Sequence, residues 1–372
     1  MNGSNFQRTL KAIQSQPVVD LHTHLFASNF TSHCLWGVDE LLGYHYLTAE
    51  FLRARPEITP ETFYSWPQIK RSDEIWSTLF VDRAPVSEAT AGVATVLAAL
   101  GLDPHATTLT EARTHDGDTG AAKQIDRVLA LSGVSKLCMT NDPHDADETR
   151  NWLDGTFQDD RFIPVLRLDQ ILKKGDENGD KSPAAIRAFM EKWIGIMKPA
   201  YMAISLPPDF TYPGRSPAAL FISDCVMPIA QNFGLPFAMM IGVKRAVNAR
   251  LLAAGDASGR ADVSSIQYLA TQFPSVNFLV TTLARENAHE VAILARKFTN
   301  IKPFGCWWFL NNPSIIEEIT DFRLEMLGTD MVPQHSDARI LEQLLYKWRH
   351  SRHIIATSLS KRYDALERNG YT

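Results

Sequence analysis

Val18-Val19-Asp20-Leu21-His22-Thr23-His24 is a short β-rich run that ends in two histidines spaced one residue apart. Residues two apart on an extended strand point to the same side, so both imidazoles can reach one ion at the strand's C-terminal end. The run is the first of eight. Others follow at 134–139, 162–166, 201–205, 236–241, 277–281, 301–306 and 331–334, with amphipathic helical stretches between them such as 183–197, 287–298 and 313–327. Pro183 and Pro313 sit where a helix begins, and Gly328 follows where one ends. Strand then helix, repeated eight times, predicts a (β/α)8 TIM barrel. A doubly wound open sheet is the alternative, but neither G-x-G-x-x-G nor G-x-x-x-x-G-K-[ST] is present to cradle a nucleotide phosphate.

One interval breaks the regular spacing, because more than a hundred residues separate the first expected strand from the second. It carries Trp36, Tyr44, His45, Tyr46, Trp66, Trp76 and Phe80. An aromatic load of this kind predicts packed structure rather than an open loop, so residues 35–130 are expected to form a helical cap at the barrel mouth. No repeat or long linker divides the chain, and residues 1–372 are expected to form one domain.

Composition narrows the function class. The 372 residues include 37 basic and 42 acidic side chains, for a net charge of −5, which offers no excess of positive charge to hold nucleic acid. Residues 1–17 lack an apolar leader core, and the longest apolar run, near 235–243, is too short to span a bilayer. Cys34, Cys138, Cys225 and Cys306 lie far apart without a C-x-x-C pair, so thiolate zinc and redox dithiol sites are not signalled. These features predict a cytoplasmic enzyme acting on a small molecule, with no membrane or nucleic-acid partner, and a homo-oligomeric state is expected with it.

In a barrel the ends of strands one and eight are neighbours, and His335-Ser336-Asp337-Ala338-Arg339 follows the eighth. His22, His24 and Asp337 would then make a three-ligand site with positions left open for water or substrate, the pattern of a catalytic metal. The middle strands, with Ile204-Ser205-Leu206, Met239-Met240-Ile241 and Thr281-Thr282-Leu283, offer no further ligands. One divalent ion is therefore expected, zinc first and manganese as the alternative. Other readings stay open at this stage. Asp337 could cap a helix starting near Arg339, His335 could be an extra ligand, and Asp20 could orient a ligand or simply end the strand. Arg167 could pair with Asp169, Lys244, Arg245 and Arg285 could bind anions, and Trp307 and Trp308 should alternate, one in the core and one walling the pocket.

The two motifs resemble the amidohydrolase superfamily, and within it the chain is similar to the uronate isomerases from about Pro17 to Tyr363. The resemblance is carried by Leu35-Trp36-Gly37-Val38-Asp39-Glu40-Leu41-Leu42, Tyr44-His45-Tyr46-Leu47, Thr140-Asn141-Asp142-Pro143, Leu166-Arg167-Leu168-Asp169, Phe304-Gly305-Cys306-Trp307-Trp308-Phe309 and Pro333 to Arg339. It implies conversion of D-glucuronate to D-fructuronate and of D-galacturonate to D-tagaturonate by moving a proton between C2 and C1 through an enediol. It also implies metal ligands His22, His24 and Asp337, with Asp337 as proton acceptor, Tyr46 and Arg339 in proton relay and enediolate stabilisation, and His45, Arg167 and Trp308 at the substrate. Members of the family continue several tens of residues beyond the position of Thr372, in a stretch that closes the pocket, so the resemblance is to a C-terminally shortened member. The competing reading is a mononuclear metal-dependent hydrolase or lyase of the same superfamily, and a third is a scaffold that binds metal without turnover.

Overall fold

Apolar runs that are buried on both faces pair most readily with one another in parallel, and the computed structural model, which describes residues 3–371, follows that rule. Seven strands join in chain order into one curled parallel sheet. They are β1 (Val18–Thr23), β2 (Val134–Asn141), β3 (Phe162–Arg167), β4 (Met202–Leu206), β5 (Phe237–Ile241), β6 (Phe278–Thr282) and β7 (Ile301–Pro303). In β5 all five residues, Phe-Ala-Met-Met-Ile, are buried. A small two-residue ribbon, Val243–Lys244 against Ala257–Ser258, stands apart from this sheet just after β5.

The connecting helices begin and end where local chemistry dictates. The helix Pro183–Met197 opens on Ser182, whose Oγ accepts the Ala185 N–H, and Pro313–Leu327 opens on Asn312, whose Oδ1 accepts the Ile315 N–H. Both coincide with the expected spans, while the third, expected at 287–298, runs Arg285–Ala295. Between β1 and β2 the chain forms a series of helices, among them Val38–Leu42, His45–Ala54, Gln68–Trp76 and Glu88–Leu100. Phe51, Phe63 and Trp76 from this region share one core with Leu344, Tyr346 and Trp348 of the long helix Gln343–Arg368. Side chains of this size contribute about 1.5–3 kcal/mol each on full burial, so the shared core is what holds the insertion and the last helix together. Gly92 lets them approach: a Cβ there would lie 2.9 Å from the Tyr346 ring.

Inside the curl, one cluster collects Leu21, Cys138, Val165, Ala203, Ala238, Leu279 and Phe304, a side chain from each strand or its immediate extension. Only the concave face of the sheet can bring them together. The expected eighth strand at 331–334 is not a regular strand. Val332 makes a single bridge to Phe304, with Gly305 N–H donating to Val332 O and Val332 N–H to Pro303 O. Further along, Asp337 N–H donates to His22 O and His24 N–H to Ala338 O, so the segment touches β7 at one end and β1 at the other. Pro333 has no N–H to give, and Asp337 adopts φ +52°, which breaks strand geometry. All four cysteines are buried free thiols.

Candidate active site

The histidine pair is delivered by a bulge rather than by plain strand alternation. Along β1 and β2 the register steps from Asp20 opposite Leu137 to Thr23 opposite Met139, so three steps on one strand face two on the other. Leu21 joins the inner cluster, while the Asp20 carboxylate accepts the Ser336 N–H and the Trp348 indole N–H. Asp20 therefore neither ends the strand nor lies among the converging ligand atoms; it ties β1 to the segment carrying Asp337. The His22 and His24 rings meet edge to face, 5.3 Å apart.

Asp337 completes the group. Its left-handed backbone is held on both sides, by its own N–H on His22 O and by Asn311, whose Nδ2 donates to His335 O and Ser336 O. The helix-cap alternative fails, because the next helix starts at Gln343, whose Oε1 instead accepts the N–H groups of Arg339 and Ile340. Asp337 Oδ1 lies 3.5 Å from His22 Nε2 and 3.5 Å from His24 Nε2. These separations are too long for good hydrogen bonds, and Oδ1 and His22 Nε2 are both buried without a partner. They match the edge of a tetrahedron whose bonds are about 2.1 Å, which is about 3.4 Å. Burial pushes His22 down to about 3 and His24 well below the ordinary imidazole value, with Arg339 and Arg167 adding to the effect on His24. Both rings are thus neutral at pH 7 with lone pairs available, as ligation requires. The three residues fit a divalent cation.

His335 does not join them. It is fully buried with its ring 5.2 Å from that of His22, but among the described residues the ligand atoms that converge here are those of His22, His24 and Asp337. A second convergent group, His33 with Asp145 and Asp147, is more exposed, and Asp145 is already engaged in capping the helix Ala146–Leu153.

A cavity of about 20 Å³ opens beside the triad, enough for a water rather than a sugar, so a larger ligand requires its walls to give. Arg245 and Trp307 line it, as do seven of the eight site residues that the resemblance implies: His22, His24, His45, Arg167, Trp308, Asp337 and Arg339. Tyr46 does not; its ring packs 4.7 Å from His45 and stacks on Phe309, while Tyr44 takes a place in the wall. Both Trp307 and Trp308 line the cavity, contrary to the expected alternation. The sheet has already ended at Pro303, and Trp308, at φ +45°, opens a short 3-10 turn, so the period of two no longer applies.

The three cavity arginines differ in their partners. Burial works against the Arg167 charge, yet Asp169, 3.2 Å from its Nε, raises its pKa overall. Arg245 is paired to Asp256 at 2.5 Å and lies over the Trp308 ring. Arg339 forms no ion pair among the described residues. Burial, then the Arg339 charge, pushes His45 down to about 3 and leaves it neutral. Tyr44, Thr140 and Asp169 stand in the motifs read from sequence and Tyr201 opens an expected strand, but none of them was given a part in the site. The position of Thr140 at the C-terminal end of β2 was an available signal for the barrel mouth, whereas nothing local marks Tyr201, which reaches the site from the start of the β4 run.

Among solved structures, this chain is similar to a uronate isomerase from Bacillus halodurans C-125, at 44% identity and a TM-score of 0.95, over 100% of this chain and 92% of that one. The chain belongs to the uronate isomerase family. Its fold is also shared with a uronate isomerase from Thermotoga maritima (14% identity, TM-score 0.79, 99% of this chain and 92% of that one) and a glucuronate isomerase from Caulobacter crescentus (16%, 0.79, 98% and 89%). No protein-family model matches the chain, and no match was found among curated proteins. As a family member the chain carries the triad, the neutral His45 and the three arginines around one cavity.

Proposed function

We propose that this protein is an aldose–ketose isomerase that converts D-glucuronate to D-fructuronate, D-galacturonate to D-tagaturonate, or both. The observation that carries the reading is the 44% identity to a uronate isomerase along the whole chain, with the triad and cavity as its physical counterpart. The reading takes residues 1–372 as one (β/α)8 barrel of the amidohydrolase type in which 331–338 serves as the eighth stave, with 35–130 as its cap. It takes the enzyme as a cytoplasmic homo-oligomer acting on a small molecule. No described helix is long and apolar enough to cross a membrane.

His22, His24 and Asp337 would hold one divalent ion, zinc first and manganese as the alternative. When bound, the ion supplies Lewis acidity that polarises the C1 carbonyl and acidifies the C2 hydrogen. The chain's own groups do the rest. Asp337 turns Oδ1 toward the imidazoles, which leaves Oδ2 to take the proton from C2 and return it to C1. Arg339, without an ion pair among the described residues, stabilises the negative oxygen of the enediolate. Tyr46, beside the neutral His45 but outside the cavity lining in this structure, would relay the proton between O1 and O2 once the walls give to admit the sugar. Arg167, held by Asp169, and Trp308 bind the remainder of the sugar acid. No redox cofactor is needed, because the carbon oxidised at C2 balances the carbon reduced at C1.

The test is a ketose-forming assay on both uronates with protein of measured metal content. Turnover that tracks zinc occupancy supports the proposal; metal-loaded protein that leaves both uronates unchanged contradicts it.

A further inference from the structure

Thr140 and Tyr201 each have one hydroxyl hydrogen, and each commits it to a backbone carbonyl of β1. Thr140 Oγ1 donates to Thr23 O at 3.0 Å, and the Tyr201 hydroxyl donates to Leu21 O at 2.6 Å. The other contact of each oxygen is a histidine nitrogen. Thr140 Oγ1 is 3.1 Å from His24 Nδ1, and the Tyr201 oxygen is 3.4 Å from His22 Nδ1. With its hydrogen already placed, each hydroxyl can only accept on that side, so the 3.1 Å Thr140 contact puts the hydrogen of the neutral His24 ring on Nδ1, and the longer Tyr201 contact favours the same tautomer at His22. Nε2 then keeps its lone pair, and in both histidines Nε2 is the atom that faces Asp337 Oδ1.

We propose that Thr140 and Tyr201 are positioning residues that lock His24 and His22 in the Nδ1–H tautomer, and so set the affinity of the triad for a divalent ion. The carbonyls they grip flank His22 in the bulge, so each hydroxyl fixes the ligand's backbone and the direction of a ring together. An imidazole in the opposite tautomer would aim a hydrogen at the ion's position and would have to flip or ionise before binding. The inference rests on the proposed metal role of His22 and His24, and not on the isomerase chemistry.

The measurement is Zn2+ affinity of the full-length chain, stripped of metal and titrated in competition with a chromophoric chelator. Thr140→Val keeps the shape but loses the hydroxyl, and it should weaken Zn2+ binding by roughly tenfold to a hundredfold. Thr140→Ser restores the hydroxyl and should return the affinity to that of the unmodified protein. Tyr201→Phe should act in the same direction but less, since its contact is longer. Equal affinity in the Val variant, or a Ser variant as weak as Val, would overturn the inference, the second because packing alone would then explain the loss. Should the Val variant not fold, 15N NMR of histidine-labelled, metal-free unmodified protein decides. Nδ1–H at His22 and His24 supports the lock, and Nε2–H overturns it. Protein that binds Zn2+ tightly with this tautomer pattern yet fails to isomerise uronates would overturn the isomerase reading alone.

Discussion

The Trp348 indole N–H donates to Asp20 Oδ2 at 2.8 Å, joining β1 to the long last helix across a sequence separation of 328 residues. The same carboxylate accepts the Ser336 N–H at 3.1 Å, one residue before Asp337. A fully buried carboxylate thus holds together the strand that carries two proposed ligands and the segment that carries the third. The bulge at Leu21 and the left-handed backbone of Asp337 are both secured by it, which is why the cavity lies at this end of the sheet.

Removing that carboxylate should be costly. Asp20→Ala leaves the Ser336 and Trp348 donors buried without an acceptor, at about 1–3 kcal/mol each, so a loss of about 2–6 kcal/mol is expected in urea denaturation. Trp348→Phe removes one donor along with its share of the bond and should cost less. Equal stability of Asp20→Ala and the unmodified protein would show that the network carries no net energy.

Stability should fall as the pH rises from about 7.5 to 9, above the range in which the buried histidines take up protons on unfolding. Burial pushes Glu148 up to about 8 and Glu342 up to about 7, against 4.5 for an ordinary glutamate. In that window the folded protein holds protons that the unfolded chain has released, so unfolding becomes easier with each step of rising pH. For Glu148 the full loss is a few kcal/mol at most, reached once the pH passes its folded value. Glu148→Gln should flatten the trend measured by chemical denaturation at pH 7.5, 8.2 and 9. An unchanged slope would mean that Glu148 titrates in the same range in the folded and unfolded states.

Tyr46→Phe should leave zinc affinity and melting temperature unchanged while turnover drops about a hundredfold or more, in the range of a lost general acid–base group. Tyr44→Phe is the informative comparison, because Tyr44 rather than Tyr46 lines the cavity in this structure. If Tyr46→Phe retains the normal rate and Tyr44→Phe does not, the relay belongs to Tyr44.

Arg339→Met should lower kcat by about a hundredfold, the scale of a lost oxyanion donor. Steady-state kinetics at saturating zinc would check this. A rise in KM with unchanged kcat would instead make Arg339 a binding group.

Much of this was legible in the chain because it is written in local patterns. The β-rich runs became β1 to β7, and two helix spans were marked at their ends by Pro183, Pro313 and Gly328. His22, His24 and Asp337 were recognisable because strand ends in this architecture share one mouth. What escaped depends on contacts between distant segments. The one local sign in residues 331–334 that Val332 makes a single bridge is Pro333; the rest follows from distant side chains such as Asn311, which claim the neighbouring backbone groups. The paired tryptophans were misjudged because alternation was extended past the point where the strand stops. Thr140 and Tyr201 could not be assigned a part until their hydroxyls were seen to meet both a β1 carbonyl and an imidazole.

The central claim is that Asp337 is both a ligand and the base of a uronate isomerase, and Asp337→Asn tests it most directly. The amide keeps an oxygen donor and nearly the same shape but has no basic oxygen for the C2 proton. Ketose formation from D-glucuronate and D-galacturonate should be measured for the zinc-loaded wild type and for the variant, with zinc content determined on the same samples. The account predicts a wild type that isomerises at least one of the two, and a variant whose rate is lower by about a hundredfold or more even where zinc is retained. A zinc-loaded Asp337→Asn protein that isomerises uronates at the wild-type rate would contradict it.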